Sequence, residues 1–372
     1  MVPMPKFTIL EEVTRVIATV GFVSTSILVL FFNILTLFFV KRDFGTYRNL
    51  LISFSILGFL FVSSEYVVHP SLLIKGIESV QMIHSKSAGF VFFTQPQFPF
   101  EAMKIGLVAF CGLYGSTVCF IAVQFLYRYW ALFDVAKLKF FEGWALSIWF
   151  SYSFSIGVIW AAGIYNFLEI DEYSTAYLKD ELFYHYGLNL SAIPSFTSVI
   201  YTQEGKVRWW NLMCTIEMTM IIGSQYLIIC FCGNQMSVGM KEKISMLSQT
   251  RRRLHTQFFK SLVLQILVPS IILFFPMIAI IYLPLFDLDF CFPTGVLFSA
   301  FSLYPAIDII IILYIVSDYR TAMVSLILLL KSRLNGNAPR IVHIEPSTMA
   351  PAHPPASPIS PNAPYKVINF PI

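Results

Sequence analysis

Three acidic residues, Glu65, Glu217 and Asp308, interrupt long apolar stretches of this sequence. A carboxyl group in apolar surroundings can bind a ligand, join a polar network, or take the backbone donors that are freed at a bend. Asp308 comes shortly after Pro305, and proline removes one helical hydrogen bond and bends a helix. We therefore interpret Asp308, with Tyr314 further along, as part of an internal switch, and Glu65 and Glu217 as candidates for a ligand site.

Basic residues form a second group that could act chemically. Arg128 lies between Tyr127 and Tyr129, near the end of an apolar stretch. Such an arginine can hold neighbouring helices together in a resting state and then contact a partner, or it can be an ordinary positive charge at a membrane surface. A later run is suited to a cytosolic protein or to anionic lipid. That run comprises Arg251, Arg252, Arg253 and Lys260.

The composition of the chain indicates a membrane protein. Hydrophobic residues make up 57% of the 372 positions and charged residues only 12%, against roughly 45–50% and about 25% in soluble domains. So little charge excludes a soluble enzyme, a nucleic-acid-binding protein and a disordered chain. The six histidines lie outside the apolar stretches or at their edges, which argues against an intramembrane metal enzyme, and we expect no cofactor.

Seven apolar stretches are long enough to cross a hydrocarbon core, which takes about 20 residues of helix. We predict spans at residues 16–40, 49–68, 105–126, 144–167, 210–232, 261–285 and 295–316. No alternating pattern of about ten residues indicates a barrel. The predicted fold is therefore all-α, a polytopic bundle of seven transmembrane helices within residues 16–320.

The distribution of Lys and Arg predicts an extracellular N-terminus, because most of the 25 basic residues then fall on the cytosolic side. Residues 1–15 would lie outside, and residues 321–334 would form a short amphipathic helix on the inner membrane surface. The proline-rich residues 335–372 would form a disordered cytosolic tail. The longest outer loop, residues 168–208, contains no cysteine, so no disulfide can tie it to the third helix.

The depth of each candidate follows from the helical rise of about 1.5 Å per residue. Glu65 lies close to the outer surface, where it could line a pocket or touch lipid headgroups, and Glu217 lies about two turns below the outer end of its helix. On depth alone, we expect Phe110, Tyr114 and Phe275 to line the same outer pocket. The aromatic lining suits a small molecule that is uncharged or weakly polar.

The sixth predicted span carries two prolines, Pro269 and Pro276, about two turns apart. Kinks at these residues would let the inner half of the helix swing while the outer half senses a ligand. Prolines are common in membrane helices, so the pattern permits a switch without requiring one.

Several motifs resemble those of a known family. They are residues 47–54 entering the second span, residues 125–129 closing the third, Gln257–Pro269 entering the sixth and Tyr304–Arg320 closing the seventh. With these motifs, from Val16 to Arg320, the chain resembles the nematode serpentine chemoreceptors of the Str group, seven-helix odorant receptors that include the diacetyl receptor. The chain departs from the family at Ile309, where such receptors have proline.

The resemblance implies a G-protein-coupled olfactory receptor in the plasma membrane, in the cilia of sensory neurons, and not an enzyme. Its partners would be a small-molecule odorant, the lipid bilayer and a heterotrimeric G protein that meets Arg128 and the basic run, with no nucleic acid. A membrane transporter or a ligand-gated channel is the alternative. Against it, the sequence has no internal repeat of the transporter kind, and the channel-type odorant receptors of insects place the N-terminus inside.

A glycosylation sequon at Asn189 provides a test of the orientation, because it falls in the loop that we place outside. The chain expressed in eukaryotic cells should carry an N-glycan, so glycosidase should increase its mobility on a gel. Asn189→Gln should abolish that change in mobility. Labelling of a C-terminal tag from outside intact cells would contradict the predicted topology.

Overall fold

The computed structural model describes residues 8–40, 46–68, 82–86, 89–94, 98–186, 189–245, 263–286, 291–292 and 299–334. The helices are α1 (Thr8–Ile34), α2 (Thr46–Val68), α3 (Phe100–Phe133), α4 (Ala145–Phe167), α5 (Glu172–Tyr186), α6 (Trp209–Ser245), α7 (Val263–Phe286), α8 (Tyr304–Ile315) and α9 (Ser317–Leu334). The strands are β1 (Met82–Lys86), β2 (Gly89–Phe93), β3 (Ser195–Val199) and β4 (Cys291–Phe292).

The helices of the described chain agree with the predicted seven-helix bundle. Six of them are long and apolar enough to cross a membrane: α1 with the π turn that follows it, α2, α3, α4, α6 and α7. The seventh candidate is Ala300–Ile315 together with Asp318–Leu329, two helices bent by 88°. Helices α3 and α6 are longer than the predicted spans, because hydropathy marks only the part of a helix that lies in hydrocarbon.

Helix α3 forms the centre of the bundle. Every residue from Tyr114 to Phe125 is buried, the pattern of a helix that is surrounded by other helices. Against α4 the two backbones come close at Gly157, where an added Cβ would lie 2.5 Å from the carbonyl oxygen of Gly112. Small residues permit such an approach between membrane helices.

A four-stranded antiparallel sheet, in the order β3-β2-β1-β4, covers one end of the bundle, which we call the sheet end. Alternate side chains of a strand point to opposite faces. Phe90, Phe92 and Phe196 accordingly pack into the core of the bundle, whereas Val91 and Phe93 pack against a second cluster that includes residues of α5. The sheet is therefore a buried layer between the bundle and α5.

This sheet adds to the predicted all-α fold, and its strand β3 lies in the segment that was expected to be a long loop, residues 168–208, of which the structure describes 168–186 and 189–208. The backbone nitrogen of Thr197 donates to the carbonyl oxygen of Leu168 at 2.8 Å. Asn211 Nδ2 donates to the carbonyl oxygen of Phe167 at 3.0 Å. Strand pairing thus holds this segment in place, although it contains no cysteine.

Helix α9 starts at Ser317, a few residues before the predicted surface helix, and packs against the end of α1. Its Tyr319 is fully buried; the ring stacks on Phe32 at 5.1 Å, and the hydroxyl lies 2.9 Å from Thr36 Oγ1. Val324 and Ile327 remain exposed on its other side. Residues 1–7 and the predicted disordered tail, 335–372, lie outside the described residues.

The buried sheet leads to a prediction about stability. Phe196 has no exposed surface and joins the bundle core from β3, so Phe196→Ala should destabilise the protein by about 3–5 kcal/mol. The measurement is the apparent melting temperature of the detergent-purified chain. Phe183→Ala in α5, where the side chain is 67% exposed, is the matched control and should change little. Equal melting temperatures for the two variants would contradict a buried sheet.

Candidate functional site

Aromatic side chains fill the half of the bundle beneath the sheet, which we call the sheet half. Tyr114 of α3 is 1% exposed, and its ring centroid lies 5.2 Å from Phe301, 5.5 Å from Trp160 and 6.5 Å from Phe61. Phe61 in turn stacks on Phe110 at 4.9 Å. These five residues, the aromatic cluster, join α2, α3, α4 and the turn that leads into α8. Tyr114 and Phe110 are two of the residues expected at a ligand pocket.

Tyr114 also binds the backbone of α7. Its hydroxyl donates to the carbonyl oxygen of Leu273 at 3.1 Å, within the π turn Ser270–Phe274. The two prolines expected to bend this helix, Pro269 and Pro276, flank that turn. Because prolines and π turns leave helical carbonyl groups without their usual partners, a side-chain hydroxyl can satisfy one of them. Tyr114 therefore fixes the irregular part of α7 to α3.

Arg128, near the other end of α3, is 8% exposed and donates to three side-chain oxygens. Its Nη1 lies 2.7 Å from Gln265 Oε1, and its Nε and Nη2 lie 3.2 and 3.0 Å from Tyr47 Oη. Nη2 also lies 3.3 Å from Gln124 Oε1. We call Tyr47, Gln124 and Gln265 the Arg128 cage. Its hydrogen bonds hold α2, α3 and α7 together.

Sequence reasoning did not single out the cage residues as partners of Arg128. Tyr47 and Gln265 are 81 and 137 residues away in the chain, and both lie in motifs that carried the family resemblance. Tyr127 stacks on Tyr47 at 5.3 Å, so it buttresses the cage, whereas Tyr129 packs against Phe133 on the neighbouring turn. The only available signal was membership of a shared motif, which does not indicate contact.

Asp308 is 8% exposed and borders a small cavity between α1, α2 and α8, which Phe32, Phe54 and Ser55 also line. Tyr314, by contrast, is 74% exposed, because the helical period of 3.6 residues turns it away from the face of Asp308. The structure therefore does not bring Tyr314 together with Asp308, although the sequence predicted that both belong to one internal switch.

Phe275 is 70% exposed on the side of α7 that faces away from the bundle, while the preceding Phe274 is buried. One step along a helix rotates a side chain by about 100°, and depth alone does not specify that rotation. The expectation that Phe275 lines the interior pocket is therefore wrong.

The carboxyl group of Glu217 packs against α4, where a Cβ added at Gly163 would overlap its Oε2. This oxygen is buried and has no hydrogen-bond partner within the described residues. Its niche exists because Gly163 has no side chain. Glu217 thus lies between α4 and α6, in a different contact from Glu65 on α2.

Glu65 is 2% exposed, which excludes the alternative in which its side chain touches lipid headgroups.

Asn189 is exposed at the sheet end, and its side-chain oxygen accepts a hydrogen bond from the Ser191 nitrogen at 3.2 Å. The basic run, Arg251, Arg252, Arg253 and Lys260, lies outside the described residues.

The niche at Gly163 can be tested with a pair of glycine variants. Gly163→Ala should destabilise the protein by about 1–3 kcal/mol, because its methyl group overlaps the Glu217 carboxyl. Gly223→Ala, on α6 with nothing within 4 Å, should instead stabilise it by roughly 0.5–1 kcal/mol. Apparent melting temperatures measure both effects. Adding Glu217→Ala should relieve the Gly163→Ala defect, and an undiminished defect in the double variant would refute the contact.

Comparisons of the sequence with known proteins identify the family of this chain. A family model described as serpentine type 7TM GPCR chemoreceptor Str matches residues 14–324. The G-protein coupled receptor str-33 of Caenorhabditis elegans is 33% identical over 328 residues, covering 86% of this chain and 92% of the relative. Serpentine receptor class r-10 of the same organism is 25% identical over 286 residues, covering 75% of this chain and 80% of the relative. The chain is thus a multi-pass membrane protein that belongs to the Str family of serpentine GPCR chemoreceptors.

Proposed function

We propose that this chain is an olfactory receptor that binds a small-molecule odorant in the sheet half of the bundle and activates a heterotrimeric G protein at the opposite end. One observation carries the proposal: α7 is hydrogen-bonded to α3 at two levels. The Tyr114 bond to Leu273 lies on one side of Pro269, and the Arg128 bond to Gln265 lies on the other. Membership of a receptor family weighs against the transporter or channel alternative.

The first step of the mechanism is at the aromatic cluster. A ligand shifts a conformational equilibrium only if its affinity differs between the two states. Contacts that displace the Tyr114 ring would weaken its bond to the Leu273 carbonyl, and the π turn between Pro269 and Pro276 offers little resistance to a change in bend. Ligand binding in the sheet half would therefore favour a state in which α7 has moved.

The second step is at the Arg128 cage. Movement of α7 would withdraw Gln265 from the guanidinium and free donors that can bind a cytosolic partner. A hydrogen bond to a charged group contributes about 1.5–3 kcal/mol, which is comparable to the coupling free energy of allosteric proteins, about 1–3 kcal/mol. Release of one cage bond is thus within reach of a small ligand.

We also propose how the bundle is oriented in the membrane and in which membrane it lies. The sheet end faces outside, and the Arg128 end faces the cytosol, where the sequence that joins α6 to α7 carries the basic run from Arg251 to Lys260. The excess of basic residues at that end supports this orientation, as does the exposed Asn189 at the sheet end. The chemoreceptor family supports a place in the ciliary membrane of sensory neurons.

Two substitutions in the cage should have opposite effects in cells that report G-protein activation. Gln265→Leu should raise signalling without ligand by about tenfold or more, since losing one charge-assisted hydrogen bond shifts the resting equilibrium by that factor. Arg128→Ala should abolish the signal evoked by an odorant panel while surface expression persists, because the guanidinium itself meets the G protein.

The control is Gln225→Leu, which removes a buried glutamine of α6 that bonds to Tyr152 rather than to Arg128. Equal basal signalling from the Gln265 and Gln225 variants would refute the resting role of the cage. Undiminished evoked signalling from Arg128→Ala would refute its contact with the G protein.

A further inference from the structure

Glu65 is an acidic residue buried inside the membrane bundle, and none of the described residues forms an ion pair with it. Its side chain is 2% exposed, and its Oε2 has no hydrogen-bond partner among the residues that the structure describes. Two basic side chains of the sheet end form ion pairs with other acidic residues. Lys104 lies 3.2 Å from Glu169, and Arg208 pairs with Asp171. Among the described hydrogen bonds and ion pairs, none reaches Glu65.

The surroundings of Glu65 are aromatic and lie in the sheet half. Phe61 is one helical turn before it on α2, a spacing that places both side chains on the same face of the helix. Phe61 stacks on Phe110 of α3 at 4.9 Å, and both rings are fully buried. A molecule that reaches the Glu65 carboxyl would therefore lay its body against these rings.

The buried carboxyl group of Glu65 and the aromatic rings of Phe61 and Phe110 together favour one class of ligand. A carboxyl group without a partner in a low-dielectric interior avoids the large desolvation cost of a charge by holding its proton as the neutral acid. An amine that reaches it can take that proton, and the carboxylate that remains only accepts hydrogen bonds. A ligand with an ammonium group supplies donors and the opposite charge together. Aromatic faces also attract organic cations through the ring quadrupole. A neutral ketone or ether can accept one hydrogen bond from the neutral acid, but it carries no charge for the carboxylate or the aromatic rings to attract.

We propose that the ligand of the sheet half carries a protonated amine and that Glu65 is its counter-ion, with the hydrocarbon part of the ligand packed on Phe61 and Phe110. The aromatic lining alone favoured an uncharged or weakly polar ligand, and the buried acid changes that expectation. This inference rests on the proposed function, because it names the ligand class of that same site. Glu217 is not required, since its carboxyl lies against Gly163 in the separate contact between α4 and α6.

The test uses isopentylamine and isopentanol, which share one carbon skeleton and differ in charge. Millimolar isopentylamine should raise the apparent melting temperature of the detergent-purified full chain by roughly 2–4 °C, and isopentanol should not. Glu65→Gln should abolish the rise by weakening amine binding at least about thirtyfold, the lower end of the loss when one partner of a buried charge pair is removed. Glu101→Gln, which neutralises an exposed acid at the start of α3, should retain it.

The melting temperature without ligand shows whether the variants are folded. Glu65→Gln should melt close to the natural chain, because an uncharged amide of nearly the same shape replaces a neutral buried acid, and Glu65→Met replaces it in the assay if the Gln variant does not fold. No rise with isopentylamine, an equal rise with isopentanol, or a rise retained without Glu65 would overturn the proposal. Signalling from Gln265→Leu needs no ligand, so it tests the proposed receptor function separately.

Discussion

Water is absent from the hydrocarbon core of a bilayer, so each polar group of the bundle must find its partner within the protein. This constraint accounts for the contacts that tie α7 to α3. The prolines of α7 interrupt its own hydrogen bonding, and the Tyr114 hydroxyl binds a carbonyl in the interrupted turn. At the other end of α3 a buried guanidinium obtains three neutral oxygens from three helices. Both contacts satisfy local polar groups and, in doing so, specify where α7 stands.

The carboxyl groups depart from this constraint. Glu217 and Glu65 each keep a buried oxygen without a hydrogen bond within the described residues, although such a group destabilises the fold. A site that has to recognise something gives up stability in this way, because its groups are arranged for a partner that is not always present. The cage behaves differently, since its neutral oxygens accept hydrogen bonds from Arg128 without neutralising its charge.

Properties that depend on one stretch of sequence were predictable, and those that depend on contacts between distant stretches were not. Hydropathy located the spans, and the positions of Pro269 and Pro276 located the irregular part of α7, because each effect is local. The rotation of a side chain about its helix is not fixed by depth, which is why Phe275 is exposed where an interior position was expected. The partners of Arg128 and the strand pairing of β2 with β3 join segments that are separated by many residues. No local pattern encodes such pairings, although the motif that contains Tyr47 and the one that contains Gln265 both suggested the family.

The sheet also constrains how members of such a lineage can diverge. Its strands come from three separate connections, those between α2 and α3, between α4 and α6, and between α7 and α8. A one-residue insertion within β2 would exchange its inward and outward faces, because the side-chain period of a strand is two. Loop length is therefore a poor source of evolutionary variation at this end. New chemical preferences should arise mainly by substitution at inward positions such as Phe90, Phe92 and Phe196, with the backbone register unchanged.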